Sequence, residues 1–384
     1  MKHLLIDCTF LINELKRKRP PHGIPRVVLA SLHNYLDRFQ LVYQVRGRIF
    51  ILPKSISKKI ALLMLSWDFK RYSKVLALVI QGIFLSEKIK KNDSYFLLKI
   101  DQNGMKYPSY FSSINKMGIK MLVTIHDIFP IIYPEYSEPN YSIQFEHNIK
   151  MSLKNAVGMI CVSQFTKETL AHYVKSTGLI SPPTIAAALA PGFSPDFPQG
   201  KRPINEPYFV MISTIVARKN HLLLLHIWRK LADQLGAKAP KLVIIGKRSS
   251  ECSSTIEMLD RCEQLRKLVI EVQASDQELT NYLLHATALL FPTFAEGYGL
   301  PLMEALNIGV PVIASDLPIF REIALDVPEY LDPIDGKGWL EMIKVYAQEQ
   351  SLPREAQLSR IKKFKMPTWE EHFNKIDLFL EELV

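Results

Sequence analysis

Short apolar runs recur along the whole chain, and each stops at a glycine or a polar residue before a helical stretch takes over. In the second half they are YFVMIST, KLVIIG, RKLVIEVQ, TALLFPTF and VPVIAS; in the first they include SYFLLKI, KMLVTI, MICV and TIAAALA. Runs of this length bounded by turn formers are buried strands, and the segments between them carry apolar residues at helical spacing. Such alternation dictates an α/β fold, a parallel sheet with helices on its faces. Ligands bind such sheets beyond the C-terminal ends of the strands, so polar residues there are the first candidates for function.

At 384 residues the chain exceeds what one growing core supports. The alternation restarts after QGKRPINEP, a linker rich in turn formers and charge. Two Rossmann-like domains facing each other across a cleft are therefore expected, residues 1–198 and 199–364. The remainder, 365–384, places Trp369, Phe373, Ile376 and Leu380 on one helical face and is expected to cross back onto the first domain. No GxGxxG follows a strand and no GxxxxGK[ST] occurs, which argues against nicotinamide or flavin enzymes and P-loop kinases.

Within the first domain, LLIDCTFLI around Leu4 to Ile12 is expected as the opening strand, and apolar positions from Val27 to Leu36 as the next helix. Gly23 and Arg26 stand where that helix starts, as a ligand-facing amide and charge or as a plain turn. His126 and Asp127 end the MLVTI strand, before a proline-interrupted aromatic loop through Tyr133 and Pro134. A helix is expected from Ser142 to Asn155. After MICV, Ser163 or Thr166 is placed to cap a helix beginning near Lys167.

A net charge of +10 suits an acidic partner: nucleic acid, an anionic membrane or a phosphorylated substrate. Much of the basic clustering lies in the first hundred residues, at Lys16 to Arg19, Lys58, Lys59, Lys70, Arg71, Lys88, Lys90 and Lys91. Between Ser55 and Lys91 two helical stretches are apolar nearly all round, with Trp67, Phe69 and Tyr72 among them. They form either a peripheral membrane element or a helix pair packed within the domain. The longest apolar runs fall short of the ~20 residues that span a bilayer, and the first residues lack a secretory pattern. A soluble or peripheral cytosolic protein is the expectation. Cys8, Cys161, Cys252 and Cys262 form no CxxC pair and are expected as buried thiols, with no zinc site.

The densest chemistry runs from Phe294 to Glu322, FAEGYGLPLMEALNIGVPVIASDLPIFRE. Phe291 ends a strand, Gly297 and Gly299 let backbone approach a ligand, and Pro301 suits the start of a helix. The amides from Gly297 through Tyr298 and Gly299 to Leu300 would then face the same space as Arg218 and Lys219, which stand at the entrance of another helix. A planar fork beside a mobile ammonium suits a diphosphate. Glu296 and Glu304 would be repelled by phosphates, so hydroxyls are their natural partners; a carboxylate accepts two hydrogen bonds from a vicinal diol. Nucleotide, diphosphate and sugar together satisfy every group.

These residues resemble those of the retaining glycosyltransferases of family 4, the glycosyltransferases group 1, which have the GT-B fold. The resemblance rests on Glu296 and Glu304 within EGYGLPLMEA, on GVPVIASDLPIFRE and ARKNHLLLL, and on VTIHDIFPIIYPEY with VSQFTKETL. It implies a hexose moved with retention from a GDP- or UDP-linked sugar to a glycan or lipid-linked glycan, with no metal, no cofactor and no nucleic acid partner. Glu296 would contact the donor sugar, Glu304 the ribose, and Arg218 and Lys219 the departing diphosphate. His126 would position sugar or acceptor from the other domain, with Gly23, Asp127 and Ser163 as further substrate contacts. Val216 and Ala217 replace the Glu-Pro that often precedes the cations, and the N-terminal glycine loop is reduced to HGIPR. The RKNH loop resembles that of mannosyl- and rhamnosyltransferases of surface polysaccharide assembly, lipopolysaccharide included, which points to a GDP-linked donor, while the basic and aromatic segment 55–91 is what suggests a peripheral place at the inner face of the cytoplasmic membrane. A sugar-nucleotide hydrolase or epimerase, or a non-catalytic binder of the same fold, would be the alternatives.

Overall fold

The computed structural model describes residues 2–90, 93–192, 200–249 and 252–383. Its contacts divide the chain into two compact units, Met1–Leu189 with Thr368–Val384, and Ala190–Pro367. The boundary expected after residue 198, with part of the linker and Lys91, lies outside the described residues.

The first unit holds seven strands: β1 (Lys2–Asp7), β2 (Phe39–Val45), β3 (Arg48–Ile51), β4 (Ser94–Lys99), β5 (Lys120–Ile125), β6 (Gly158–Cys161) and β7 (Thr184–Ala186). They lie in the order β3-β2-β1-β4-β5-β6-β7, all parallel except the β2-β3 hairpin. Leu5, Leu97, Val123 and Met159 come from neighbouring strands and share one core cluster. The opening strand is shorter than expected. It stops at Asp7, whose Oδ1 accepts the Thr9 amide at 3.0 Å, and Thr9–Lys16 is a helix. Leu11, Ile12 and Leu15 fit its buried face, a helical spacing within a run that also reads as one continuous apolar strand. TIAAALA is likewise extended only over Thr184–Ala186.

The helix after β6 spans Gln164–Thr177 and starts before the expected Lys167. Ser163 is its cap, accepting the Thr166 amide at 3.0 Å, so Thr166 lies inside the first turn. Helices Lys54–Leu65 and Tyr72–Phe84 pack on each other, burying Ile56, Ile60 and Met64 of one and Val75 and Val79 of the other.

The C-terminal helix, Trp369–Glu382, is part of the first unit. Thr368 and Glu371 form a reciprocal capping box at its start, satisfying two otherwise unpaired amides. Its buried residues are His372, Phe373, Ile376 and Phe379, a stripe rotated slightly from the expected one. His372 Nδ1 donates toward the Ala187 and Ala188 carbonyls, and Asp377 accepts from Tyr35 and Arg38 at 3.0 and 2.7 Å. A Cβ on Gly158 would come within 2.8 Å of the Phe379 ring, so β6 needs a glycine where this helix presses on it.

The second unit holds β8 (Tyr208–Ile212), β9 (Lys241–Ile245), β10 (Val269–Val272), β11 (Leu289–Phe291), β12 (Val312–Ser315) and β13 (Glu329–Leu331). The order is β10-β9-β8-β11-β12-β13, all parallel. VPVIAS, expected as the last strand, is followed by β13; three residues of EYL are too few to show a pattern. Helices Ser253–Arg261, Gly336–Tyr346 and Leu352–Lys363 are additions to the sequence reading. Cys8, Cys161 and Cys252 are buried thiols, and Cys262 is partly exposed.

Truncating Phe379 removes a ring buried against β6. The Phe379→Ala variant is expected to lose about 3–5 kcal/mol of first-unit stability, read as a lower urea midpoint.

Candidate active site

Numbered within its own unit, the second sheet runs 3-2-1-4-5-6, so strand order reverses between β8 and β11. Helical crossovers leave in opposite directions from that point and uncover the strand ends between them. Both conspicuous loops of the sequence begin there. The loop after β8 forms a 3-10 turn, Ala217–Lys219, and Asn220 then takes the left-handed conformation at φ 61° to start helix His221–Leu235. Asn220 Nδ2 is anchored on the Pro333 carbonyl at 2.8 Å. The loop after β11 carries Glu296 and ends at Gly299, whose φ of 106° is one a side chain rarely tolerates. Helix Leu300–Asn307 follows, with Pro301 in its first turn as expected.

The two loops are braced together. The Arg218 carbonyl accepts from the Phe294 amide at 2.9 Å and from Thr293 Oγ1 at 3.1 Å. Arg218 Nη1 donates to the Ala295 carbonyl and stands 3.2 Å from Glu296 Oε1. Lys219 Nζ is bonded to the same carboxylate oxygen and lies 5.1 Å from the centre of the Phe291 ring. Burial pushes the Glu296 carboxyl up, but the charges of Lys219 and Arg218 outweigh it and hold the group below its ordinary range. Glu296 is thus an anion, 9% exposed, and Glu304 sits one helical turn on, 3% exposed. Gly297, Tyr298 and Gly299 are buried, Leu300 partly so, and burial raises the Tyr298 phenol.

His221 opens the helix behind Lys219, with Nε2 3.3 Å from Ser213 Oγ and a buried Nδ1 that has no hydrogen-bond partner among the described residues. Burial, with the Lys219 charge, lowers it to about 3, so the ring is neutral. Gly246 ends β9 where a Cβ would overlap the Ser213 carbonyl, which keeps β8 and β9 close up to the site.

In the first unit, β5 delivers His126 and Asp127 to a strand end. His126 Nε2 donates to the Ile100 carbonyl at 2.8 Å, and burial, against that bond, lowers the imidazole to about 4. Asp127 Oδ1 accepts the Phe129 amide at 3.2 Å and so helps to start the short helix Phe129–Ile132. Ser163 is engaged as a cap. Gly23 has a φ of 64° with open space where a Cβ would sit, and Arg26 turns back to the Pro21 carbonyl at 3.1 Å.

A second charged cluster at these strand ends went unnoticed in the sequence. Lys99 is fully buried, with Nζ 2.8 Å from Asp7 Oδ2 and 3.0 Å from Asp101 Oδ1, and the Tyr110 hydroxyl donates to Asp7 Oδ2 at 3.1 Å. Burial outweighs the pull of Lys99 and raises Asp101 to about 6. The signal was there: a lysine ending the apolar strand SYFLLK, and an aspartate ending KHLLID.

Residues 193–327 match the family described as glycosyl transferases group 1. Most of the second unit falls within that match. The chain is 28% identical over 283 residues to the serotype-specific mannosyltransferase WbdA of Escherichia coli, covering 66% of this chain and 34% of WbdA. It is 29% identical over 222 residues to the O-antigen chain mannosyltransferase RfbU of Salmonella typhimurium, covering 58% of this chain and 59% of RfbU. The chain thus spans about a third and under two thirds of these relatives' lengths. Among solved structures, HepE of Anabaena in complex with UDP and glucose aligns over 100% of both chains with a TM-score of 0.66 at 13% identity. The fold is α/β of the GT-B type, as the sequence led us to expect. Among the described residues no cluster of histidine, cysteine, aspartate and glutamate is grouped to hold a metal.

His126, His221 and His372 are all held neutral by burial, at about 4, 3 and 4. An unfolded imidazole binds its proton near 6.5, so between that value and the folded one the unfolded state carries more protons. Stability is therefore expected to fall as pH drops from 6.5 toward 4, by up to about 1.4 kcal/mol per pH unit for each ring, and to be indifferent to these groups above 6.5. Urea titrations at pH 5 and 7 on wild type and His221→Gln measure the difference.

Proposed function

We propose that this protein transfers a hexose from a nucleotide diphosphate sugar to a hydroxyl of a glycan or lipid-linked glycan. The observation that carries the reading is the pairing of Arg218 and Lys219 with Glu296 at the strand-order reversal of the matched domain. A diphosphate leaving the sugar develops negative charge, and two fixed cations stabilise it without a metal. Glu296 accepts from hydroxyls of the donor sugar and Glu304 from the ribose, while the backbone from Gly297 to Leu300 contributes amides. The acceptor oxygen bonds to the anomeric carbon on the face the diphosphate leaves, the carbon–phosphate-oxygen bond breaks, and the acceptor's proton passes to the departing diphosphate. Configuration is thereby retained. For His126 we assign a positioning role toward a substrate hydroxyl, since its neutral ring with Nε2–H keeps Nδ1 as an acceptor.

The named activities of WbdA and RfbU favour mannose, and hence a GDP-linked donor. HepE was solved with UDP, which makes the uridine nucleotide the comparison to run. A ligand that binds only the folded state raises the melting temperature, so screening GDP, UDP and their sugars identifies the donor. With that donor, Glu296→Gln and Lys219→Met are each expected to lower kcat about 10²–10³-fold. NMR of the product is expected to show the donor's anomeric configuration, and EDTA is expected to leave the rate unchanged. Wild-type turnover in both variants would remove the site assignment.

For the basic segment we propose a peripheral contact with the anionic inner leaflet of the cytoplasmic membrane. No helix of the described residues is long and apolar enough to cross a membrane. Helix Tyr72–Phe84 nevertheless leaves Ala77, Ile80 and Phe84 exposed at i, i+3 and i+7, with Phe84 85% exposed, and Leu85 just after it and Leu62 of helix Lys54–Leu65 are exposed as well. Lys58, Lys59, Lys70, Arg71, Lys74, Lys88 and Lys90 are exposed in the same segment. Apolar wedges among lysines match an interface of acyl chains under anionic headgroups. Co-sedimentation with vesicles containing phosphatidylglycerol at low salt is expected to retain wild type and to release Ile80→Ser/Phe84→Ser. Equal binding of both, or none by either, rules the contact out.

A further inference from the structure

The strand order of the first sheet also reverses, between β1 and β4. Instead of an open loop pair, the buried Asp7, Lys99 and Asp101 fill that point, and every polar side-chain atom of the three but one is bonded, Asp101 Oδ2 being buried with no hydrogen-bond partner among the described residues. Asp7 Oδ1 holds the Thr9 amide at 3.0 Å, its Oδ2 takes Lys99 and Tyr110, and Asp101 Oδ1 takes Lys99 and, at 2.6 Å, the Asn103 amide. Lys99 and Asp101 flank Ile100. The Ile100 carbonyl between them is the group that accepts from His126 Nε2 at 2.8 Å.

A carbonyl oxygen only accepts, so the neutral imidazole must carry its proton on Nε2 and keep Nδ1 as a lone pair. The choice is only as firm as the position of that carbonyl. A backbone held on one side by an ammonium between two carboxylates, and on the other by a carboxylate gripping the turn at Asn103, cannot rotate its carbonyl away without breaking buried charge pairs.

We propose that the Asp7, Lys99 and Asp101 cluster is a positioning device for His126: it clamps the chain on both sides of Ile100, fixes the imidazole in the Nε2–H tautomer and leaves Nδ1 as the acceptor for a substrate hydroxyl. The proposal rests on the role assigned to His126 above, and the two can be separated by experiment. None of the three residues needs to touch substrate. They act through the ring, as supporting hydrogen bonds orient a functional histidine elsewhere in proteins.

The experiment uses the full chain labelled with ¹⁵N-histidine, comparing wild type, Asp101→Asn, Asp101→Ser and His126→Gln. Long-range ¹H–¹⁵N spectra, assigned by the signal missing from His126→Gln, are expected to show the Nε2–H form of His126 in wild type and a mixture of tautomers in both Asp101 variants. With the donor identified, kcat of Asp101→Asn is expected to fall about 10- to 100-fold while the KM for the donor and the nucleotide-induced thermal shift stay near wild type. Asp101→Ser keeps an oxygen for the Asn103 amide and drops only the pairing with Lys99, so it serves if Asp101→Asn does not fold. A folded Asp101 variant with the wild-type tautomer and turnover overturns the proposal, and so does the failure of both variants to fold, which would make the cluster purely structural. If instead His126→Gln turns over at the wild-type rate, the catalytic reading of His126 fails while a tautomer change in the Asp101 variants still stands.

Discussion

A parallel sheet whose strand order reverses has one place where neither crossover helix covers the strand ends, and in this chain both sheets have it. Polar side chains ending the two central strands there meet each other before they meet solvent. In the second sheet the loops are long and bring together Arg218, Lys219 and Glu296, braced through the Arg218 carbonyl. In the first the charged residues lie at the strand ends themselves, Asp7 on β1 and Lys99 on β4, and the contact is buried. One topological constraint therefore yields a charged, loop-built site in one unit and a buried ion cluster in the other.

The pairing of Glu296 with the two cations sets a condition on what can bind. An anion arriving at Arg218 and Lys219 competes with Glu296 for the same donors. If it carries only phosphate, the carboxylate is left in a largely buried position without the partners that keep it charged, a loss of about 1–3 kcal/mol per unsatisfied group. A ligand that brings hydroxyls on the same molecule returns those donors. A ligand that brings phosphate and hydroxyls together is thus favoured over one that brings phosphate alone.

Much of this was legible in the chain because the second unit obeys local rules. Strands such as YFVMI and KLVII are continuous apolar runs, Gly299 is the residue a positive φ requires, and Pro301 sits where a helix start wants it. What was not legible depended on pairs far apart in sequence. Asp7 and Lys99 are 92 residues apart, and nothing local says that a charge ending one apolar strand answers a charge ending another. The Thr9–Lys16 helix was missed for a related reason: Leu11 and Ile12 continue the apolar run of β1, and only the Asp7 side chain, folded back onto the Thr9 amide, marks the break.

The same distinction separates Ser163 from His126, two residues that follow strands in one sheet. Ser163 has its hydroxyl committed to the first turn of its own helix, accepting the Thr166 amide and donating to the Thr166 hydroxyl at 2.9 Å. A substrate contact there must compete with a cap. His126 commits one ring nitrogen to the Ile100 carbonyl and, being neutral, keeps the other as an acceptor. Sequence position makes the two equivalent; the disposition of their hydrogen bonds does not. A strand-end residue becomes available for chemistry when the fold satisfies one side of it and leaves the other, and in the first unit the histidine meets that condition because the backbone it leans on is itself held by charge.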